Sequence, residues 1–278
     1  MPRARIAVVV VVIVLVGIIG YAVVGYAFAS TQVANADRSL HTVVSHKDSL
    51  NSTFMDIGGL FNGLFSSSTT NPTPSRARID LFMANARVAG TTVDQDDASL
   101  VSARAQLHSR EWLTAFSRAD LDQEAARTDH ARKGLSNARS IAADYVKDGE
   151  FFQAFADVSV DFDAFITQVE GRDISGAKAS LPNLKMRLDK ALQLSKAPGL
   201  PGEIHSLMFD FQTLAADYGT LLDALAANDK QAIVRAGKSV EGDGTKLSAY
   251  DLTKVDIFAY YKPRVDAFNS EMAKATAA

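Results

Sequence analysis

Residues 6–29 read IAVVVVVIVLVGIIGYAVVGYAFA, a run of 24 residues without a charged side chain. At ~1.5 Å of rise per residue, a helix of this length spans the ~30 Å hydrocarbon core of a bilayer with some tilt. The many valines do not argue against it, because in lipid only a helix satisfies the backbone of an isolated segment. The sequence therefore predicts a single transmembrane signal-anchor helix over residues 6–29.

Basic residues flank this run on one side only. Arg3 and Arg5 precede it, and the next basic residue is Arg38. Because positively charged flanks stay in the cytoplasm, residues 1–5 are predicted to form a short cytoplasmic N-terminus. Everything after Ser30 is then expected outside the cytoplasm. The predicted localisation is the cell membrane, as a single-pass protein.

A cleaved signal peptide is the rival interpretation of the N-terminal run. Ala27-Phe28-Ala29 and Ala34-Asn35-Ala36 both fit the A-x-A cleavage pattern. The apolar run exceeds the ~7–15 residues of a typical signal-peptide core, which favours retention as an anchor.

A heptad pattern follows over residues 30–65. Its positions alternate in steps of three and four: Val33, Ala36, Leu40, Val43, Lys47, Leu50, Phe54, Ile57, Phe61 and Leu64. Such a seam, broken by one lysine, predicts a membrane-proximal helix that packs along a partner stripe, as in a coiled coil. The partner lies in the same chain or in another copy. Gly25 and Ala29 have the small-xxx-small spacing of helix dimers, although glycine is common in membrane helices generally.

Residues 66–75 read SSSTTNPTPS, and two prolines among small polar residues cannot continue a helix. This tract is predicted to link the heptad helix to a helical-bundle domain over residues 76–278. The expected helices of its first half run from Arg76 to about Val88, from the acids Asp94–Asp97 to Phe116, and from Asp120 to about Lys147, with Gly90-Thr-Thr as an interruption. The acids suit the first turn of a helix.

Four apolar seams in the C-terminal half predict four amphipathic helices, packed as an antiparallel bundle. The seams are Phe151, Phe155, Val158, Phe162, Phe165 and Val169; Ile174, Ala177, Leu181, Leu184, Leu188 and Ala191; Ile204, Met208, Phe211, Tyr218, Leu222 and Leu225; and Leu252, Val255, Phe258, Tyr261, Val265, Phe268 and Met272. Their predicted breakers are 171–173, 198–202, 228–229 and 242–244. The fold class is therefore all-α.

Two stretches, residues 161–173 and 217–229, resemble each other and each end in an aspartate placed to cap the next helix. They represent either a duplicated helical hairpin, as in a short α-solenoid, or the similarity that amphipathic hairpins share by physics alone.

Composition excludes several kinds of chemistry. The chain has no cysteine, which rules out disulfides, thiolate metal sites and a cysteine nucleophile. Taking Arg3 and Arg5 from the formal net charge of −3 leaves about −5 after the anchor. Such an acidic domain gives no electrostatic reason to expect nucleic acid as a partner.

No catalytic, cofactor-binding or metal-binding residue is assigned from motifs, and ligand-binding residues are unknown. The histidines His41, His46, His108, His130 and His205 form no metal-binding motif and are expected to be solvated. The run Asp94–Asp97 lacks the glycine and glutamate of a calcium loop. The C-terminal aromatics either line a ligand pocket or, more simply, form core. Pro263 is expected to kink or break its helix.

These patterns favour a non-enzymatic, membrane-tethered scaffold or protein-binding module, with no cofactor. Its expected partners are the membrane, through the N-terminal helix, and a protein or a second copy, through the helical seams. The alternative is a ligand-binding ectodomain of a sensory or transport system that works through a partner protein. An enzyme whose site is assembled from scattered helix positions is the least favoured hypothesis.

Overall fold

The computed structural model describes residues 2–66, 76–110, 112–251 and 256–277, with side chains described except at 2–13, 57, 58 and 60–66. This part of the chain is about 90% helix and contains no strand, which confirms the predicted all-α class. Its seven α-helices are α1 (Pro2–Ser66), α2 (Arg76–Leu107), α3 (Arg118–Glu170), α4 (Ile174–Leu194), α5 (Gly202–Ala226), α6 (Lys230–Ser248) and α7 (Ile257–Thr276).

The contacts of the chain divide it into two compact units. Unit 1 comprises Met1–Asn51, Gly90–Arg139 and Arg264–Ala278, and unit 2 comprises Ser52–Ala89 and Ser140–Pro263. Helices α1, α2, α3 and α7 contribute residues to both units, whereas α4, α5 and α6 lie in unit 2.

Helix α1 changes character along its length. Its described aliphatic side chains from Val14 to Val24 are mostly half or more exposed, whereas one stripe is buried from Ala29 onwards. The buried members of that stripe are Ala29, Ala36, Leu40, Val43, Leu50 and Phe54. The predicted heptad is therefore confirmed as a buried stripe as far as Phe54, while the side chains of Ile57, Phe61 and Leu64 lie outside the described residues.

Among the described residues, one helix is long and apolar enough to cross a membrane. This is the segment Val14–Asp56 of α1, near the N-terminus, which meets the requirement by length and composition. The predicted N-terminal apolar helix is thus present.

The partner stripe of α1 in unit 1 belongs to the same chain. Ala29 and Ala36 form one apolar cluster with residues of α2 and α3, and Val33 packs against it. The α2 and α3 members are Ala103, Leu107, Leu121 and Ala125. Of the two alternatives left open by the heptad, the structure shows intrachain packing here.

Gly25 serves the same intrachain packing. A Cβ atom at this position would lie 2.1 Å from the carbonyl oxygen of Leu113, in the segment between α2 and α3. At Gly17 and Gly20 a Cβ would meet nothing within 4 Å. The absence of a side chain at Gly25 therefore allows the loop between α2 and α3 of the same chain to approach α1 closely. The sequence had suggested either a helix-dimer contact or the general frequency of glycine in membrane helices, and neither includes this role.

The predicted interruption at Gly90 is wrong, because α2 is continuous from Arg76 to Leu107. A buried stripe in steps of three and four runs through the glycine: Phe82, Ala86, Ala89, Val93, Asp96, Leu100, Ala103 and Leu107. Burial along this stripe outweighs the ~1 kcal/mol that one glycine costs a helix. The acids Asp94–Asp97 consequently lie inside the helix and not at its N-terminus, and the helix ends before Phe116.

Two further predicted breaks are also absent. Helix α3 runs without interruption from Arg118 to Glu170. The expected break between two helices near Lys147 is therefore absent. Helix α6, which the apolar pattern did not reveal, contains Gly242 and Gly244. The Asp229 side chain caps α6 by accepting hydrogen bonds from two backbone N–H groups, and α6 packs on α5. Capping and packing together offset the cost of the glycines.

The breakers at 171–173, 198–202 and 228–229 are confirmed, and the two similar stretches end in the same turn. Arg172 and Asn228 have φ angles of 58° and 52°. In each turn the backbone N–H of the capping aspartate donates to the carbonyl oxygen five residues earlier. Asp173 donates to Gln168 at 2.9 Å, and Asp229 donates to Ala224 at 3.0 Å. Both aspartates cap the following helix, as predicted. The resemblance thus extends to backbone geometry.

Parts of the predicted organisation fall outside the described residues. These are positions 67–75 of the linker and Leu252 and Val255 of the fourth C-terminal seam. The rest of that seam is largely confirmed, with Tyr261, Val265, Phe268 and Met272 buried on α7. The domain boundary at the linker stays a prediction.

Candidate functional site

Four carboxylates of α2 and α3 are buried. Asp96, Glu124 and Asp148 have at most 5% of their surface exposed, and Asp144 has 7%. A buried carboxylate is costly unless it is paired, so each position has a structural or functional reason.

Glu124 lies in a cleft of about 330 Å³ between α1 and α3 in unit 1. Its Oε1 atom is buried and has no hydrogen-bond partner among the described residues. The α1 side of the cleft begins at Tyr26, next to the exposed aliphatic segment. The cleft is lined by Tyr26, Ala29, Ser30, Val33, Ala34, Asp37, Ser117, Asp120, Glu124 and Arg127.

Arg127 holds the polar side of this cleft together. Its Nη1 atom lies 2.7 Å from Glu124 Oε2 and 3.2 Å from Asp37 Oδ1, and its Nε donates to the carbonyl oxygen of Ala275 at 3.0 Å. Burial raises the pKa of Glu124 above its usual range, although Arg127 opposes this. With Asp37 and Asp120 also in the lining, the cleft suits a small hydrogen-bond donor or cationic group.

The acids of α2 form interhelical ion pairs. Asp97 accepts from Arg132 Nε at 2.9 Å and from Arg139 Nη2 at 3.1 Å, and Arg139 also pairs with Asp94 at 2.6 Å. Burial works against ionisation of Asp97, but the two arginines hold its pKa below the ordinary value. The acids therefore connect α2 to α3, which replaces the predicted capping role.

His46, His130 and His205 each have a polar partner on another element and are only partly exposed, so the expectation that all five histidines are solvated is wrong for these three. His46 Nδ1 lies 3.0 Å from Asp96 Oδ2, and His130 Nδ1 lies 2.7 Å from Glu271 Oε2. His205 Nδ1 lies 2.8 Å from Ser195 Oγ. Each pair joins two helices. Among the described residues, no group of three or more histidines and carboxylates is arranged to hold a metal ion.

Unit 2 contains a buried acid, Asp148, in contact with Tyr261. The tyrosine hydroxyl donates to Asp148 Oδ2 at 2.6 Å, and Asp148 Oδ1 has no partner among the described residues. A Cβ on Gly199 would lie 2.2 Å from the Tyr261 hydroxyl, so glycine is needed for this close approach. Burial raises the pKa of Asp148 to about 7, while the hydrogen bonds from Tyr261 and the Gly199 backbone oppose the rise.

The C-terminal aromatics mostly form core. Phe151, Phe152 and Phe165 are fully buried, and their rings contact other aromatic rings of unit 2. Pro263 lies inside α7 and does not end it. The simpler interpretation of the aromatic seam is confirmed for these three residues.

A second surface feature is a groove of about 500 Å³ between α4 and α5 in unit 2. Phe209 lines it and is 56% exposed. The remaining lining residues are Lys185, Asp189, Gln212, Thr213 and Ala216. Because aromatic residues are enriched at protein–protein interfaces, this groove is a candidate contact surface.

Neither a protein-family model nor a curated protein or solved structure matches the chain. The candidate site thus rests on geometry alone. The sequence assigned no role to Glu124 or Asp148, although both interrupt a stripe of apolar residues at the three-four spacing. That interruption is the signal that could have identified them.

Proposed function

We propose that the chain is a non-enzymatic scaffold or protein-binding module, anchored in a membrane by the N-terminal part of α1. Residues 6–29 insert as a single-pass helix, and an antiparallel bundle of the remaining helices presents the groove around Phe209 to a protein partner. No cofactor is required for this role.

The observation that carries the proposal is the continuity of α1. The same helix exposes Val14 to Val24 and then buries Ala29 and Ala36 in the core of unit 1. Exposed aliphatic residues in such a run are stabilised by lipid, at about 0.3–0.6 kcal/mol each near the bilayer centre. Signal-peptide cleavage after Ala29 or Ala36 would cut the helix within this core, which further favours a retained anchor.

Orientation follows from charge. Arg3 and Arg5 precede the apolar run, so the positive-inside rule places the N-terminus in the cytoplasm and the helical domain outside it. The domain has no second apolar helix among the described residues, so a signal would have to pass through a partner.

Photo-crosslinking from the groove tests the binding role. A photoreactive phenylalanine analogue replaces Phe209 in the full chain, and the matched control carries it at Val234, an α6 residue of similar exposure. We expect a discrete protein adduct from position 209 in native membranes, absent from position 234. A chain cut before Ser30 should lose the adduct, because it leaves the membrane.

Adducts between copies of the chain alone, at both positions, would contradict binding to another protein. The alternative function, a ligand-binding ectodomain, would then be favoured, with the cleft around Glu124 as its binding site.

A further inference from the structure

Two aromatic side chains of unit 1 project into solvent beside the apolar part of α1. Trp112 is 68% exposed and Phe116 is 70% exposed. Both belong to the segment between α2 and α3, residues 108–110 and 112–117, named here the aromatic loop. The Tyr21 ring of α1 lies 6.2 Å from each of their rings, centroid to centroid.

The backbone of the aromatic loop is firmly docked. Leu113, Thr114 and Ser117 are buried, and the Leu113 and Ser117 N–H groups donate to loop carbonyls at 2.8 and 3.0 Å. Gly25 admits the Leu113 carbonyl against α1. Because these contacts hold the backbone in place, the exposure of the two aromatic rings is imposed by the fold.

The exposed rings continue the apolar surface of α1. Ile18, Val23 and Val24 are half or more exposed on that helix, and Tyr26 is 65% exposed. A soluble surface rarely leaves so much contiguous apolar area uncovered. Since the proposed function places this part of α1 in lipid, the same lipid covers the aromatic loop.

Charge and aromatic residues are ordered along the helix axis. The Arg110 guanidinium lies 5.5 Å from the ring centroid of Phe28, whereas Trp112 contacts Tyr21, seven residues nearer the N-terminus. Seven residues correspond to about 10 Å of helix. Tryptophan and tyrosine concentrate at the membrane interface, and arginine reaches from there towards water. The aromatic loop has the same order, with Arg110 on the side of the aqueous phase and Trp112 on the side of the bilayer centre.

We propose that the aromatic loop sits in the outer lipid interface, with Trp112 and Phe116 at the boundary of headgroups and acyl chains, and so seats unit 1 on the membrane. The inference rests on the proposed function, because it requires α1 to be in the bilayer. It moves the outer end of the hydrocarbon span from Ala29 to near Tyr21, so that residues 22–29 of the inserted helix lie in the lipid interface. The shorter span of about 24 Å is accommodated by local thinning and by snorkelling of Arg3 and Arg5.

Tryptophan fluorescence tests this directly, because Trp112 is the single tryptophan of the chain. The full chain is reconstituted in phosphatidylcholine vesicles, some with bromine on the upper acyl chains, and flotation establishes that it is anchored. The matched control is Trp112→Phe/Val101→Trp, which moves the reporter to an exposed position on α2. A second variant, Trp112→Phe/Phe116→Trp, places it at the other proposed lipid contact.

For Trp112 and for the reporter at 116, the expected result is a blue-shifted emission, quenching by the brominated lipid and loss of quenching by aqueous iodide. The reporter at 101 should show the reverse. If the chain floats but Trp112 has the same emission and quenching as the reporter at 101, the aromatic loop is not in the interface, although α1 is still anchored in the bilayer. A chain that fails to float would overturn both the anchor and the loop proposal.

Discussion

Replacing Asp148 with asparagine is expected to remove a pH dependence of stability between about pH 4 and pH 8. In the folded chain burial raises the pKa of Asp148 to about 7, against about 3.9 for an unfolded aspartate. Between these values the folded state keeps a proton that the unfolded state has lost. The free energy of unfolding therefore falls as the pH rises towards 7 and levels off above it.

The size of the effect follows from the difference in pKa. About three units at ~1.4 kcal/mol each set an upper bound of about 4 kcal/mol. Asp144 adds to the rise in pKa and Lys147 opposes it, both from α3, while Tyr261 acts from α7. We expect Asp148→Asn to exceed the wild type by about 1–1.5 kcal/mol at pH 5 and by about 3–4 kcal/mol at pH 8.

Urea unfolding of the full chain in mild detergent, followed by circular dichroism across this pH range, measures the difference. Asp163→Asn, which changes an exposed carboxylate on the same helix, is the matched control and should keep the wild-type slope. Equal slopes in wild type and Asp148→Asn would show that Asp148 is ionised throughout.

Truncating Phe54 to alanine is expected to destabilise the chain by about 3–5 kcal/mol, the usual cost of removing a buried phenylalanine. Phe54 is fully buried, and its ring lies 6.2 Å from that of Tyr145, which also contacts Phe82 and Tyr261. The Tyr145 hydroxyl donates to the Phe54 carbonyl at 3.2 Å. The Phe54 ring thus belongs to an aromatic cluster of unit 2 that is centred on Tyr145.

Its neighbour supplies the control, because Met55 is 54% exposed on the same helix. Met55→Ala should cost less than about 0.5 kcal/mol, as surface substitutions usually do. Thermal unfolding of the two variants in detergent distinguishes them. Similar losses in both would mean that this part of α1 is not packed into the core.

The helical stripes were predictable from the sequence wherever apolar spacing was regular. The α1 heptad as far as Phe54 and the seam of α4 from Ala177 to Ala191 are buried as expected. Asp173 and Asp229 were correctly identified as helix N-caps, because an aspartate side chain directly before a helix accepts hydrogen bonds from the first backbone N–H groups. Apolar periodicity and helix capping depend on residues close together in the chain, so both can be predicted from a single sequence.

Breaks within helices were predicted poorly, because they depend on tertiary packing. Gly90 and Gly242 weaken a helix locally, yet burial along the α2 stripe outweighs that cost at Gly90, and capping by Asp229 with packing on α5 offsets it at Gly242. The buried polar contacts could not be predicted either. The bond from Tyr261 to Asp148 joins residues 113 apart in sequence, so only the fold brings them together.

Cysteine labelling tests whether residues 6–29 anchor a helical domain outside the cytoplasm. The chain has no cysteine, so Ala4→Cys and Ala105→Cys each introduce a unique thiol, the second at an exposed position on α2. Intact cells are treated with a membrane-impermeant maleimide, and membranes are then extracted with alkaline carbonate.

We expect both variants to stay in the carbonate-resistant membrane fraction. The thiol at 105 should be labelled in intact cells, and the thiol at 4 only after permeabilisation. Release of the chain by carbonate, or labelling at 4 with protection at 105, would contradict this expectation.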